Sequence, residues 1–177
     1  QQQNIDCGRI AINISSQHFK HNLIDSINFA LQKSKLSPDL LEIEVTESCF
    51  IENIKHASST LQKIRQLGVK NSIDDFGTGF SSLSYLTQLP FDTLKIDASF
   101  ISKLPSDLKQ CQIVKSIIAM AKGLDLTLVG EGVETAEQAI FLTVNGCDAI
   151  QGYLYSIPGN AEAVTERLTE QQLTPAD

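Results

Sequence analysis

Short apolar runs rich in β-branched residues alternate with amphipathic helical segments along this whole chain. The helical segments carry apolar residues three and four positions apart, as at Ile54, Ala57, Leu61 and Ile64. This alternation predicts a parallel sheet with helices packed against it, arranged either as an open doubly wound sheet or as a closed barrel. The six predicted strands lie at residues 9–14, 41–46, 69–74, 93–96, 127–129 and, more weakly, around 149.

Polar side chains lie at or just after the carboxyl end of every predicted strand. In an open sheet, only the strand ends near the reversal of strand order gather around one ligand. In a barrel, all strands direct their carboxyl ends into one basin, so that all six positions converge. The pattern therefore favours a barrel. The residues at these positions are Asn13, Glu44, Glu47, Asp74, Asp75, Lys95, Asp97, Glu131, Glu134 and Gln151.

The chain is short for a complete barrel. Such a barrel has eight strands and about 250 residues, whereas this chain has 177 residues and six predicted strands. We therefore predict an α/β fold of the TIM-like (β/α)8 type that lacks its first two strand–helix units. The chain begins at Gln1 rather than at Met, which we interpret as the start of a piece of a longer protein. Residues 1–168 are predicted to form the partial barrel domain, and residues 169–177 a polar C-terminal tail.

Capping residues predict several helix ends. Thr135, with Gln138 three residues later, is typical of a capping box, and Asn160 is expected to begin the last helix. Glycines are expected to end three helices, at Gly68, Gly123 and Gly146.

Composition excludes several classes of function. The net charge of −7 argues against binding of long nucleic acid, because a basic surface is needed to neutralise its phosphates. The four cysteines are far apart and include no Cys-x-x-Cys pair, so neither a typical zinc site nor a disulfide framework is expected. No run reaches the roughly 18 apolar residues of a membrane helix. We expect a cytoplasmic domain, and a membrane tether elsewhere in the parent protein stays open.

The segment Asp74-Asp75-Phe76-Gly77 is the clearest indication of a functional site. Two adjacent carboxylates repel each other unless a cation lies beside them. Together with Asn13 and Glu44, they form a set of hard oxygen donors that suits Mg²⁺ or Mn²⁺. Two such ions sharing carboxylates form the usual clamp for displacement at phosphorus, which predicts a metal-dependent hydrolase. For the segment alone, an ordinary turn after a strand is the alternative.

Lys95 and Glu131 are the candidate catalytic residues in this basin. An ammonium at a strand end can hold a nucleophilic water or neutralise charge on a phosphoryl oxygen. Glu131 lies between two glycines and can deprotonate the attacking water or support a metal. Simpler roles stay open for the others: Asn13 and Gln151 as turn residues, and Glu134 as an acidic residue near a helix N-terminus.

Six segments, in order along almost the whole chain, resemble the EAL-domain family of cyclic di-GMP phosphodiesterases. Any one of them alone is a weak signal, whereas six in register are specific. The segments are Asn13-Ile14-Ser15, Glu44-Val45-Thr46-Glu47-Ser48, Asp74-Asp75-Phe76-Gly77-Thr78-Gly79, Leu94-Lys95-Ile96-Asp97, Glu131-Gly132-Val133-Glu134-Thr135 and Gln151-Gly152-Tyr153-Leu154.

The resemblance implies a (β/α)8-type barrel with one antiparallel strand, which hydrolyses the bacterial second messenger cyclic di-GMP to linear pGpG. It implies two metal ions, Mg²⁺ or Mn²⁺. By similarity, the first would be held by Asn13, Glu44 and Asp74, and the second by Asp74 and Asp75.

The resemblance also implies roles for the remaining residues. Lys95 would orient the hydrolytic water, Glu131 would act as the base or support the second metal, and Gln151 would order water. Glu47 would brace the loop of residues 75–82, which in this family couples dimerisation to metal binding, and Asp97 would assist Lys95. A homodimer formed through this loop and upstream sensory or signalling domains are therefore expected.

Two departures from the family pattern affect this interpretation. The Glu-Ala-Leu segment that names the family is absent from the sequence, and it would supply a further metal-binding Glu. The family usually has a basic residue where Ile157 precedes Pro158, so one substrate contact is in doubt. The parent protein is predicted to be active, and the 177-residue fragment weakly active or inactive.

Two other interpretations stay open from the sequence. An enolase-like barrel also carries acids and a lysine at strand ends, but it does not predict adjacent carboxylates followed by a glycine-rich loop. A catalytically degenerate barrel that binds cyclic di-GMP and signals to a partner is the alternative from a different class.

Overall fold

The computed structural model describes residues 8–20, 22–78 and 83–173. Its strands form one parallel sheet, whose order is the order along the chain. A doubly wound sheet would reverse its strand order, so this succession confirms the predicted TIM-like arrangement with six of the eight strands. The strands are β1 (Ile10–Ile14), β2 (Leu41–Val45), β3 (Lys70–Phe76), β4 (Thr93–Ile96), β5 (Thr127–Gly130) and β6 (Ala149–Ile150).

Helices connect successive strands and cover the outer face of the sheet, where α3 packs on β3 and α6 packs on β5. Residues 79–82, which belong to the loop predicted to form a dimer, lie outside the described part of the chain. The helices are α1 (Ser16–Lys20), α2 (Leu23–Ser34), α3 (Ile54–Gln66), α4 (Leu83–Gln88), α5 (Ala98–Ile101), α6 (Leu108–Gly123), α7 (Ala136–Val144) and α8 (Ala161–Leu173).

The predicted helix caps are confirmed at all but one position. Thr135 and Gln138 form the capping box of α7, and the Asn160 side chain accepts a hydrogen bond from the backbone of Ala163 at 2.9 Å. Gly68 and Gly146 follow α3 and α7 with left-handed backbone angles.

The prediction that Gly123 caps α6 is wrong. Gly123 is the last residue of this helix, and the left-handed position is taken by Asp125, with φ of 56°. A short polar side chain such as that of Asp tolerates this conformation, which is the reason glycine was not needed there.

The core lies between the outer face of the sheet and the helices. Its strand residues alternate with inward-facing polar residues, as the period of two requires. Ile43 on β2 is 1% exposed, whereas its register partner Ile12 on β1 is 45% exposed. Among the described residues, β1 and β6 each pair on one side only, so the sheet has two open edges.

None of the helices within residues 8–20, 22–78 and 83–173 combines the length and the apolar character of a membrane-spanning segment. Helix α8 continues through Leu173, so residues 169–173 of the predicted polar tail are helical. Residues 174–177 lie outside the described part of the chain.

Candidate metal and phosphodiester site

Lys95 forms the centre of the site. It projects from β4, one of the two central strands, and is only 5% exposed. Its Nζ lies 2.6 Å from Glu44 Oε1 on β2, 2.6 Å from Glu131 Oε1 after β5, and 3.2 Å from Asp74 Oδ1 on β3. The parallel register places these strand ends side by side, so four consecutive strands contribute one charged group each.

This arrangement shifts the pKa values of the two candidate catalytic groups. Burial opposes the charge on Lys95, but hydrogen bonds to Glu131 and Glu44 outweigh it and raise the Lys95 pKa above its ordinary value. Burial raises the pKa of Glu131, and the nearby ammonium only partly offsets that rise. Lys95 therefore stays charged, and Glu131 is a stronger base than an exposed glutamate.

Asp74 and Asp75 lie at an irregularity of β3. Ile73 pairs with Leu94 and Phe76 with Ile96, so β3 contains one residue more than β4 over this stretch. In a regular strand, adjacent side chains point to opposite faces. Here Asp75 adopts a left-handed backbone with φ of 52°, which is the geometry of a β-bulge. Both carboxylates therefore lie on the side of the site.

Asp97 follows directly after β4, at the predicted strand end. Its side chain accepts a hydrogen bond from the Ser99 backbone at 2.9 Å and so caps α5. Its carboxylate also lies beside that of Asp75. Burial raises the Asp75 pKa, and repulsion from Asp74 and Asp97 raises it further. The structure thus places the Asp97 carboxylate beside that of Asp75. The expectation that Asp97 assists Lys95 stays a prediction.

The donor set fits divalent cations. Carboxylate oxygens of Asp74, Asp75 and Glu131 lie within 4.8 Å of one another. Asp74 Oδ1 is buried and makes no hydrogen bond, although Lys95 Nζ lies nearby. With Glu44, the site has four carboxylates and one ammonium, three of the carboxylates lying within 3.2 Å of Lys95 Nζ, so it carries an excess of three negative charges when all are ionised. Hard oxygen donors with such an excess suit Mg²⁺ or Mn²⁺.

The structure does not gather all of the predicted site residues equally. Asn13 at the end of β1 and Gln151 after β6 are exposed, as is Glu134 just before α7. Glu47 is buried in a short 3₁₀ helix after β2. Strands β2 to β5 therefore hold the compact part of the site, and Asn13, Glu134 and Gln151 are open to solvent.

Two features of the site were missed from the sequence. The first is the bulge at Asp75. The sequence offered one signal for it, because Asp is a residue type that tolerates the left-handed backbone found there. The second is the close approach of Phe100 to Gly77, where an added Cβ would lie 2.6 Å from the ring. No spacing rule predicts that contact, because the two residues lie in different strand–helix units.

The structure is a partial parallel barrel with a lysine ringed by carboxylates at its strand ends, and three of the carboxylates are close enough together to hold a metal ion. The sequence pattern of the EAL domain family matches residues 1–158. The chain belongs to the EAL domain family, whose curated members include cyclic di-GMP phosphodiesterases. This assignment replaces the enolase-like alternative.

Individual relatives agree with the family assignment. The chain is 45% identical over 161 residues to cyclic di-GMP phosphodiesterase NbdA of Pseudomonas aeruginosa, covering 90% of this chain and 21% of that protein. The solved PaMucR phosphodiesterase in complex with c-di-GMP has a TM-score of 0.83 and 44% identity, covering 88% of this chain and 64% of that one. The EAL domain of Mycobacterium smegmatis DcpA has a TM-score of 0.88 and 37% identity, covering 92% of this chain and 73% of that one. The chain spans about a fifth of the length of the curated relatives it matches.

Proposed function

We propose that this chain hydrolyses cyclic di-GMP to linear pGpG by a two-metal, water-attack mechanism. The observation that carries the proposal is the buried Lys95, held by Glu44, Asp74 and Glu131 within 3.2 Å. The names of the solved relatives support the choice of ligand, because PaMucR was solved with c-di-GMP bound.

The proposed metal-binding residues are those that the family resemblance implies. Asn13, Glu44 and Asp74 would hold one ion, and Asp74 with Asp75 would hold the second. When bound, Mg²⁺ or Mn²⁺ would supply positive charge for the phosphodiester oxygens and lower the pKa of a water ligand. The β-bulge supports this assignment, because it places Asp75 beside Asp74.

Two residues would act on the attacking water. The Lys95 ammonium orients it and compensates charge that develops on the phosphoryl oxygens. Glu131, whose pKa is raised by burial, accepts the proton of the water as the new O–P bond forms. One P–O ester bond of the cyclic dinucleotide breaks as the new bond forms, and the released sugar oxygen takes up a proton from solvent, which gives the linear product. Gln151, at the open rim, would order water near this group.

A second copy of the chain is the proposed partner at the α6 face next to the site. Phe76, Ile113, Ile117 and Met120 line an open cavity of about 470 Å³ there. None of the described residues that line it is charged, so two copies of an acidic protein can meet there without like-charge repulsion. Phe76, one of the lining residues, directly follows Asp75, so the cavity adjoins the loop that is predicted to form the dimer.

Sedimentation tests this interface. Ile113→Glu should shift the protein to monomer, whereas Val144→Glu, at an exposed position of α7, should not.

Product formation tests the proposed reaction. Purified protein is incubated with cyclic di-GMP and Mn²⁺, and nucleotides are separated by chromatography. We expect pGpG to form, slowly in this chain because the Glu-Ala-Leu segment is absent from it, and Asp74→Ala to abolish product. Tight binding of cyclic di-GMP without pGpG would instead favour the receptor alternative, and neither binding nor product would contradict both.

A further inference from the structure

Helix α5 (Ala98–Ile101) lies between two segments that carry carboxylates of the proposed site. One segment is the bulge of β3 with Asp74 and Asp75, and the other is the loop after β5 with Glu131. The short helix contacts both segments, and in each case the contact falls on a glycine next to the acidic residues.

The first contact joins Phe100 to the turn that follows Asp75. A Cβ on Gly77 would lie 2.6 Å from Phe100 Cε2 and 2.7 Å from Cζ, so the ring lies directly against the glycine. Gly77 has a φ of 97°, and both the backbone and the hydroxyl of Thr78 donate hydrogen bonds to the Asp75 carbonyl, at 3.3 and 2.9 Å. The ring thus supports a closed turn whose geometry places the Asp75 carboxylate.

The second contact joins α5 to the segment around Glu131. Ala98 lies against Gly132 so closely that a Cβ on this glycine would overlap the alanine methyl group. On the other side of Glu131, a Cβ on Gly130 would lie 3.3 Å from Ile101 Cδ1. The residues before and after Glu131 therefore both rest on α5.

Helix α5 is itself attached firmly to the strand that carries Lys95. Asp97, two residues after Lys95, caps the helix through the Ser99 backbone at 2.9 Å. Phe100 is partly buried and packs against the hydrophobic core. One turn of helix is thus fixed relative to Lys95 and touches the backbone at both groups of carboxylates.

We propose that Phe100 is a positioning residue for the metal site, which sets the separation between the Asp74–Asp75 pair and Glu131 through its contact with Gly77. This inference rests on the proposed metal-dependent function. Phe100 does not reach the metal or the substrate, and it acts through the backbone turn that places Asp75.

Mn²⁺ affinity, measured by electron paramagnetic resonance of free and bound ion, tests the proposal. We expect Phe100→Ala to bind Mn²⁺ about 10- to 100-fold more weakly, as is typical when a group supporting a metal ligand is removed. Phe100→Leu, which keeps most of the contact, should recover part of the affinity. The matched control is Phe141→Ala, since Phe141 on α7 is also partly buried against the core. It should lower the unfolding temperature and leave Mn²⁺ affinity unchanged.

A double-mutant cycle tests the contact itself. Gly77→Ala should weaken Mn²⁺ binding strongly in the wild-type background, where its methyl group meets the ring, and less in Phe100→Ala. Equal effects in the two backgrounds, or unchanged Mn²⁺ affinity in Phe100→Ala, would overturn the role of Phe100 and leave the proposed metal site intact. A wild-type protein that binds no Mn²⁺ would overturn the metal site and this inference together. Mn²⁺ binding that depends on Phe100, without pGpG formation, would contradict only the proposed reaction.

Discussion

Strands β2 to β5 and the two outer strands all carry polar residues at their carboxyl ends, but these are charged on the central strands and are amides on the outer ones, and their surroundings differ. In the middle of the sheet, Glu44 and Lys95 are buried and joined by a 2.6 Å ion pair. At the edges, Asn13 and Gln151 are exposed. Each central strand has a neighbour on both sides, which removes water from its inward-facing side chains. Pairing on both sides therefore buries the charged residues of the central strands.

The electrostatic consequence is that the centre depends on its charges far more than the edges do. In the centre, removing one partner leaves buried charges unpaired, which costs several kcal/mol. An ion pair at an edge is reached by water and contributes about 1 kcal/mol or less. The predictions below compare centre and edge, beginning with the largest expected effect.

Lys95→Met should destabilise the metal-free protein by about 3–5 kcal/mol, because three carboxylates lose their buried counter-charge. The edge comparison is Arg9→Met, which removes the 2.9 Å pair of Arg9 with Glu42. Arg9 is 44% exposed and its partner Glu42 only 9%, so Arg9→Met leaves one buried carboxylate unpaired rather than three, and we expect a smaller loss than in Lys95→Met. Chemical denaturation in the presence of a chelator measures the free energy of unfolding of both variants. Similar losses in the two would contradict the distinction between centre and edge.

Ile43→Ala and Ile12→Ala form a matched pair, because these residues are register partners on β2 and β1. Ile43 is 1% exposed and should cost about 2–5 kcal/mol on truncation. Ile12 is 45% exposed and should cost about 0.5 kcal/mol or less. If Ile12→Ala costs as much as Ile43→Ala, then the outer face of β1 is covered in solution.

The alkaline stability profile should report the centre of the site. The Lys95 pKa is raised in the folded protein, so its contribution is fully present below about 10.5, the usual lysine pKa. That contribution is lost as the pH rises from there through the folded-state pKa, at no more than about 1.4 kcal/mol per pH unit. Glu131→Gln removes a group that raises this pKa, so the variant should lose less stability over the same range. Glu162→Gln on exposed α8 should leave the profile unchanged. Chemical denaturation at several pH values, in the presence of a chelator, measures these free energies of unfolding.

Two helix caps give the smallest expected difference. Thr135→Ala removes the capping box of α7, which packs on β6 and buries Leu142, and should cost about 1 kcal/mol of global stability. Asn160→Ala removes the cap of the largely exposed α8. Here we expect faster amide hydrogen exchange within α8 and a smaller global loss. Equal global losses would indicate that α8 is an integral part of the folded unit.

The sequence predicted the parts of the fold that depend on local pattern. The strand at residues 93–96 has the predicted bounds, and the capping box at Thr135 is present. By contrast, β3 extends two residues beyond its predicted end, through Asp75 and Phe76. That extension depends on a bulge set by pairing with β4, and tertiary pairing leaves no periodic signal in the sequence.

The candidate site was predictable to a similar extent. Convergence of strand ends was enough to group Glu44, Asp74, Lys95 and Glu131, because a parallel sheet fixes where strand ends meet. It could not predict that Asp97 would turn towards Asp75 and cap a helix, since that depends on how the chain leaves β4. Nor could it distinguish buried positions from exposed ones at the edges.

The most direct test of the central claim, that the middle strands hold the metal site, is calorimetric titration of Mn²⁺ into the wild-type protein, Asp74→Asn and Gln151→Ala. We predict that the wild-type protein binds Mn²⁺, that Asp74→Asn loses this binding, and that Gln151→Ala, at an exposed edge position that is not a proposed metal ligand, keeps most of it. Asp74→Asn binding Mn²⁺ as tightly as the wild-type protein would contradict the account.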